Sequence, residues 1–230
     1  MTRLAVRPIC GFTRFVAPAL CAIALLSGCG GGGGDDVAVA TLDFPVASAV
    51  AAYSQSAHQF NLVGTVGANT LSMNYTYTPG APAAFEGFAA STAVETATLL
   101  LNGAFYAQIN STSYFAPAPY RAYGSIDAGS YSVFTQTAGL PVNANIGQSG
   151  PLGTETEYTD STKLTIVGTS TVTWSLEADA PATALFCINI QSTSGMPVTG
   201  SQCYRVDANG LAQGLVMRVD VGGGQIVTLR

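Results

Sequence analysis

The feature that most constrains the fold is an alternation of apolar and polar residues that recurs along the chain. In LSMNYTYT, residues 71–78, every second residue is apolar or aromatic, and the residues between them are serine, asparagine or threonine. Because successive side chains of a β-strand point to opposite faces, this period of two predicts half-buried strands. The pattern returns in VTWSLEAD, where the expected inward residues are Val172, Trp174, Leu176 and Ala178.

Turn-forming residues between these segments predict an antiparallel meander. Asn102-Gly103, between TATLLL and AFYAQI, is a strong two-residue hairpin signal, and further turns are expected at Gly67–Asn69, Asp160-Ser161, Asp207–Gly210 and Gly222–Gly224. About ten strands follow, near residues 58–66, 69–78, 85–100, 104–115, 131–137, 153–160, 163–178, 183–191, 201–207 and 212–229, the last as a hairpin.

The sequence leaves two alternatives for how these strands are arranged in space. Residues 116–150 are rich in proline and glycine and are a candidate crossing between two sheets. The expected fold class is therefore mainly β, an antiparallel meander that forms a β-sandwich or a flattened barrel. One short N-terminal helix is expected over residues 45–56, where Val46, Val50 and Tyr53 have helical spacing and Pro45 suits a first turn.

The first 28 residues have the order of a secretory signal peptide. Three arginines and no acid precede an apolar run over residues 15–26, which ends at Ser27 and Gly28. A run of about 12 residues is well short of the roughly 20 that span a bilayer as a helix. We therefore expect residues 1–28 to be removed.

The stretch Leu26-Ser27-Gly28-Cys29 resembles the lipobox of bacterial lipoproteins. In that family the cysteine is acylated on sulfur, becomes the first residue after cleavage and is then acylated on its amino group. The resemblance implies a covalent lipid of the palmitate type on Cys29, and two or more acyl chains anchor a protein stably. Aspartate after the cysteine favours inner-membrane retention in that family. Here Gly30 stands there, so an outer-membrane location is implied, on the periplasmic face or the cell surface.

Residues 29–44 are expected to be a flexible tether between the lipid and a β-rich domain over residues 45–230. Five consecutive glycines, Gly30 to Gly34, form no stable element, and Asp35 and Asp36 keep the segment solvated. As a whole the chain resembles Gram-negative lipoproteins of unassigned activity that begin with cysteine and a glycine run and continue as a β-rich domain.

The charge balance excludes several classes of partner. After residue 28 the chain keeps 13 acidic and five basic residues, a net charge near −8. Nucleic acids and anionic lipid surfaces require basic patches, so neither is an expected partner. Charged residues are only 9% of the chain, against about 25% in typical proteins. An envelope protein or a glycan remains a candidate partner.

Cys187 and Cys203 are the two thiols left in an oxidising compartment and are expected to form a disulfide. If LFCINIQ and QCYRVD form a hairpin that turns near Gly195, the two cysteines lie opposite each other. They then share the more polar face with Asn189 and Arg205, whereas the core face holds Phe186, Ile188, Ile190, Tyr204 and Val206.

No catalytic or metal-binding group stands out. His58 is the single histidine and is expected to be a surface or capping residue. Glu155 and Glu157 share one strand face and Asp160 follows at a turn. Such carboxylates could hydrolyse a glycosidic bond or bind calcium, but a solvated edge face explains them as well. No metal and no cofactor beyond the lipid on Cys29 are expected.

The candidate binding surface is SYFAPAPYRAYG, residues 113–124, in which Tyr114, Tyr120 and Tyr123 with Arg121 could stack against a sugar. Three hypotheses for function remain. The first is a non-enzymatic structural or interaction module of the envelope. The second is a binder of a small apolar or carbohydrate ligand inside a curved sheet, and the third is a hydrolase that uses Glu155, Glu157 or Asp160.

Overall fold

The structure, a computed structural model, describes residues 42–192, 199–220 and 225–230. The signal segment, Cys29 and all but the last residues of the expected tether lie outside this part. The turns expected near Gly195 and at Gly222–Gly224 also lie outside it. Within the described ranges, no helix is long and apolar enough to cross a membrane.

The described residues form one short helix and a series of antiparallel strands, so the mainly β prediction is confirmed. In chain order the elements are β1 (Asp43–Phe44), α1 (Val46–Ser54), β2 (His58–Val66), β3 (Asn69–Phe85), β4 (Phe88–Leu101), β5 (Ala104–Pro117), β6 (Tyr120–Asp127), β7 (Tyr131–Gln136), β8 (Ala144–Asn145), β9 (Ser149–Tyr158), β10 (Ile166–Ala180), β11 (Thr183–Ser192), β12 (Thr199–Asp207), β13 (Ala212–Asp220) and β14 (Ile226–Leu229).

Twelve strands form one antiparallel sheet in which almost every strand pairs with its neighbour in the chain. The exception is β8, which pairs with β1 in a separate two-stranded sheet, so β7 pairs directly with β9. The expected meander is thus confirmed. At Asn102 and Gly103 φ is 51° and 81°, the left-handed conformation that a two-residue hairpin turn requires.

The two outer strands of this sheet meet, so the sheet is nearly closed and barrel-like. The Val63 amide donates to the carbonyl oxygen of Arg230 at 2.9 Å, and the Arg230 amide donates to Val63 at 3.1 Å. A side chain at Gly64 would place its Cβ 2.4 Å from the Thr228 carbonyl oxygen. Glycine at this position is therefore required for the close approach of β14 to β2.

The twelve-stranded sheet does not divide over residues 116–150, which corrects the hypothesis of a crossing there, although β8 lies outside it and pairs with β1. This section contains β6, which the sequence analysis missed, as well as β7 and β8. The sheet continues through β6 and β7 without a break. One of the glycines that suggested a break, Gly124, lies within β6 with a φ of 151°, and a Cβ there would lie 2.0 Å from the Ser132 carbonyl oxygen. This glycine marks close strand packing rather than a loop.

The main core lies inside the curved sheet and includes the helix. The predicted helix is confirmed, and its residues Val46, Val50 and Tyr53 are buried against the inner face of the strands. His58 caps the end of this helix, because its Nε2 atom lies 2.9 Å from the Tyr53 carbonyl oxygen and its ring stacks on Tyr53 at 3.9 Å.

The alternation predicted for β3 and β10 holds for most positions. All four apolar residues of LSMNYTYT are buried. In β10, Val172 and Leu176 are buried and Trp174 is half-buried, but Ala178 is exposed. Ala178 is still paired with the buried Ala184, and the register between β10 and β11 shifts just after it, so Ala178 lies at the end of the regular pairing.

Cys187 and Cys203 face each other across β11 and β12, and their Sγ atoms lie at a disulfide-bonding distance of 2.10 Å. Together with Leu185 and Val216 they form a small buried cluster apart from the main core. The opposite face carries Phe186, Tyr204 and Val206 in the main core, as expected, whereas Ile190 is 37% exposed.

The close approach at Gly64 generates a prediction about stability. We expect Gly64→Ala to lower the free energy of unfolding by about 1–3 kcal/mol, because the new methyl group would overlap the backbone of β14. Urea unfolding followed by circular dichroism measures this change.

Gly200→Ala is the matched control, since Gly200 also lies in a strand but its nearest neighbour, the Arg218 carbonyl oxygen, would be 3.4 Å from the added Cβ. That variant should stay within about 0.5 kcal/mol of the parent. Equal destabilisation by both substitutions would contradict the closed arrangement of β2 and β14.

Candidate functional site

The interior of the barrel-like sheet contains a cavity of about 190 Å³. Its walls come from strands β4 to β7 and β9 to β12 and from Leu140 in the segment between β7 and β8. Much of the lining is apolar, but seven polar side chains also reach it: Glu95, Ser113, Tyr120, Gln136, Glu155, Gln202 and Tyr204. A partly apolar cavity with a few convergent polar groups is the usual form of a small-molecule site.

Glu95 is the most extensively hydrogen-bonded of these groups. The Tyr75 hydroxyl donates to its Oε2 atom at 2.6 Å, and the Ser113 hydroxyl donates to Oε1 at 2.5 Å. Gln202 approaches the same network, with its Nε2 atom 3.5 Å from the Tyr75 hydroxyl. The residues around Glu95 therefore hold its carboxylate in a fixed position on the inner face of β4.

A ring of tyrosines surrounds this carboxylate. Burial raises the pKa of all five phenols, and the negative charge of Glu95 raises each of them further. These hydroxyls are therefore neutral at physiological pH. The Tyr75 hydroxyl donates to Glu95, and the Tyr77 hydroxyl donates to the Ser54 carbonyl oxygen at 2.9 Å. The five residues are Tyr53, Tyr75, Tyr77, Tyr120 and Tyr204.

The second interior carboxylate belongs to Glu155 on β9. It lies opposite Phe134 of β7 in the strand register and lines the same cavity. Burial raises the pKa of Glu155, the negative charge of Glu157 raises it further, and a hydrogen bond with Ser132 opposes these effects. The two carboxyl groups that line the cavity thus differ. Burial disfavours ionisation of Glu155, whereas Glu95 accepts two hydrogen bonds.

The position of Glu155 corrects the expectation of a solvated edge face. The residues that alternate with the two glutamates in TETEYT are threonines, so both faces of this segment are polar. The alternation therefore could not identify the inner face. In the structure, Leu152 is skipped in the register between β9 and β10, and this irregularity places Glu155 toward the interior.

Asp160 does not join the interior carboxylates. It lies on an exposed turn, where its Oδ1 atom accepts a hydrogen bond from the Thr162 amide at 2.8 Å and another from the Thr162 hydroxyl. Glu155, Glu157 and Asp160 thus do not form one cluster. Among the residues described, no group of three or more histidine, cysteine, aspartate or glutamate side chains could hold a metal ion.

The structure separates the four residues of the candidate binding surface. Tyr120 lines the interior cavity. Arg121 and Tyr123 instead form an outer patch with Phe88, in which the Phe88 and Tyr123 rings stack at 4.7 Å and the Arg121 guanidinium lies 5.7 Å from the Phe88 ring. Tyr114 stacks on Phe85 at 4.4 Å, and Tyr114 and Tyr123 both pack against the cluster of Phe85, Ala90 and Tyr131. Tyr120 thus lies apart from the other three residues, because alternate residues of β6 point to opposite faces.

Glu95 is the site residue that the sequence analysis missed. In VETATLLL the residues that share its face are Ala97, Leu99 and Leu101, so Glu95 is the one charge on an apolar strand face. A lone carboxylate in such a position was the signal that could have identified it.

The burial of Glu155 predicts a pH dependence of stability. Since its pKa is raised in the native state above the ordinary value of 4.5, the native state binds this proton more tightly than the unfolded chain does. Stability from this residue therefore falls as the pH rises above 4.5. We expect Glu155→Gln to gain stability relative to the parent between pH 4 and pH 8, as measured by urea unfolding.

Asp160→Asn provides a control, because its effect on stability should change with pH in the opposite direction. The hydrogen bonds from Thr162 lower the pKa of Asp160, so its stabilising effect is present above the ordinary value of 3.8 and is lost as the pH falls. This variant should be less stable than the parent at neutral pH and should approach it in acid. A pH profile of Glu155→Gln that runs parallel to the parent would contradict the buried position of Glu155.

Comparison with known proteins adds no relative from which a role could be transferred. No protein-family model, no curated protein and no solved structure matches this chain. The chemistry available to the site therefore follows from its own lining: apolar walls, aromatic rings, neutral hydroxyls and two carboxyl groups.

Proposed function

We propose that this protein is a non-enzymatic, lipid-anchored component of the outer membrane whose barrel-like domain binds a small ligand in its interior. The observation that supports this most strongly is the cavity of about 190 Å³ inside the sheet. The cavity is partly open, so a small molecule has a route into it. The hypothesis of ligand binding inside a curved sheet therefore becomes the leading one.

The size and lining of the cavity limit the ligand. Pockets for drug-sized molecules usually have volumes of about 300–1,000 Å³, so the ligand should be smaller than those molecules. Leu152, Val172 and Ile188 offer apolar contact, whereas Gln136 and Gln202 add carboxamide groups. A compact ligand with an apolar body and at least one polar group fits this lining.

Hydrolysis by Glu155, Glu157 and Asp160 has less support, because Asp160 lies on the exterior turn. The outer patch of Arg121, Tyr123 and Phe88 is the part of the candidate binding surface that remains exposed enough to meet an envelope protein or a glycan. This outer patch is therefore the second candidate site, for an envelope protein or a glycan.

A cavity-filling substitution tests ligand binding directly. Three probes cover the chemistry of the lining: cyclohexanol, cyclohexylamine and methyl α-glucoside. We expect at least one of them to shift the amide resonances of cavity residues saturably in two-dimensional NMR. Val172→Phe should weaken this binding at least about tenfold, because Val172 lines the cavity.

Thr171→Phe is the matched control, since Thr171 precedes Val172 on the same strand and is exposed on the opposite face. This variant should bind the same probe as the parent does. Binding that survives Val172→Phe, or the absence of binding by all three probes at millimolar concentration, would overturn the proposal.

The lipid anchor has its own test. Cys29→Ser should prevent acylation and leave the protein in the soluble fraction of lysed Gram-negative cells, whereas the parent should label with radioactive palmitate and sediment with the outer membrane. Cys203→Ala removes a different cysteine and should leave the labelling intact. Palmitate labelling of the Cys29→Ser protein would contradict the assignment of this residue.

A further inference from the structure

Among the described residues, the charged side chains that line the cavity are all acidic. Glu95 and Glu155 line the cavity, and none of the residues that line it is basic. Carboxylates that are partly removed from water, as these two are, are normally offset by a cation or by hydrogen bonds. Glu95 accepts hydrogen bonds from Tyr75 and Ser113, whereas for Glu155 the hydrogen bond with Ser132 opposes the larger effect of burial on its pKa.

The basic side chains of the described residues are engaged elsewhere. Three of them form ion pairs away from the cavity, with Nζ or guanidinium nitrogens 2.6 Å from their partners: Lys163 with Glu86, Arg205 with Asp179 and Arg218 with Glu177. The Arg121 guanidinium lies over the outer rings of Phe88 and Tyr123, and Arg230 adds to the effect of Arg205 in lowering the pKa of Asp179. None of these five basic side chains lines the cavity.

Aromatic rings line the same cavity. Tyr120, Phe134 and Tyr204 contribute to its walls. The face of an aromatic ring attracts a cation, most strongly where water is excluded, and aromatic cages are a recurrent means of binding ammonium groups. Rings and carboxylates together favour an organic cation over a neutral molecule or an anion.

We propose, on the basis of the ligand-binding function proposed above, that the ligand is a small organic ammonium compound with an apolar body. Its ammonium group lies in the cavity that the Glu95 and Glu155 carboxylates line. Its apolar part lies against Leu152, Val172 and Ile188. The bound cation supplies the positive charge that the lining lacks, so Glu155 ionises more readily in the complex than in the free protein.

Cyclohexylamine and cyclohexanol form a matched pair of probes, because they share the ring and differ in the charged group. At pH 7 we expect the amine to bind at least about tenfold more tightly than the alcohol in titrations by NMR or calorimetry. Glu155→Gln should reduce this preference to about twofold, with the affinity for the alcohol unchanged within about twofold.

Two further variants test whether the preference for the amine comes from the carboxylates that line the cavity. Glu95→Gln keeps an oxygen that can accept from Tyr75 and should lower the affinity for the amine in the same way. Asp160→Asn removes one negative charge from the exterior turn and should leave the preference intact, which separates a local contact from the effect of net charge.

The outcomes distinguish this inference from the function on which it depends. Equal binding of amine and alcohol, or an amine preference that survives Glu155→Gln, overturns the ammonium assignment and leaves ligand binding in place. Failure of the amine, the alcohol and methyl α-glucoside to bind overturns the proposed function itself.

Discussion

The pairing of Val63 with Arg230 is the interaction on which the enclosed interior depends. A meander of this kind has two outer edges, and without this pairing both edges would expose unpaired backbone groups. Two hydrogen bonds join them, and Gly64 allows the backbone of Thr228 to approach closely. The closure gives the sheet a continuous inner face, on which the side chains of the main core pack against each other.

The enclosed space explains how a chain with few charges keeps carboxyl groups inside. Two short hydrogen bonds, from the Tyr75 and Ser113 hydroxyls, hold the Glu95 carboxylate. Glu155 lies in the same space, but its hydrogen bond with Ser132 does not offset the effect of burial, so its pKa is raised. Partly buried carboxyl groups lower the stability of the fold unless another group offsets their charge. Such a cost is typical of a binding site rather than of a core selected for packing alone.

The sequence predicted the local structure better than it predicted the site. Alternation identified most strands, and Asn102-Gly103 identified a hairpin, because both signals depend on backbone geometry within a few residues. The cysteine pairing also followed from the register of a single hairpin. The sequence did not predict which face of the sheet Glu155 lies on. That face depends on an irregularity at Leu152, and both faces of the segment are polar. Likewise β6 contains Gly124, whose close packing against Ser132 is visible only in three dimensions.

Hydrogen exchange at the Val63 amide tests the closed sheet most directly. This amide points to β14 and donates to the Arg230 carbonyl oxygen. If the sheet is closed, Val63 should exchange as slowly as the amides of β3 and β4, which pair on both sides within the sheet. Exchange at the rate of an unprotected amide, with β3 and β4 still protected, would show an open edge between β2 and β14 and would contradict an enclosed ligand cavity.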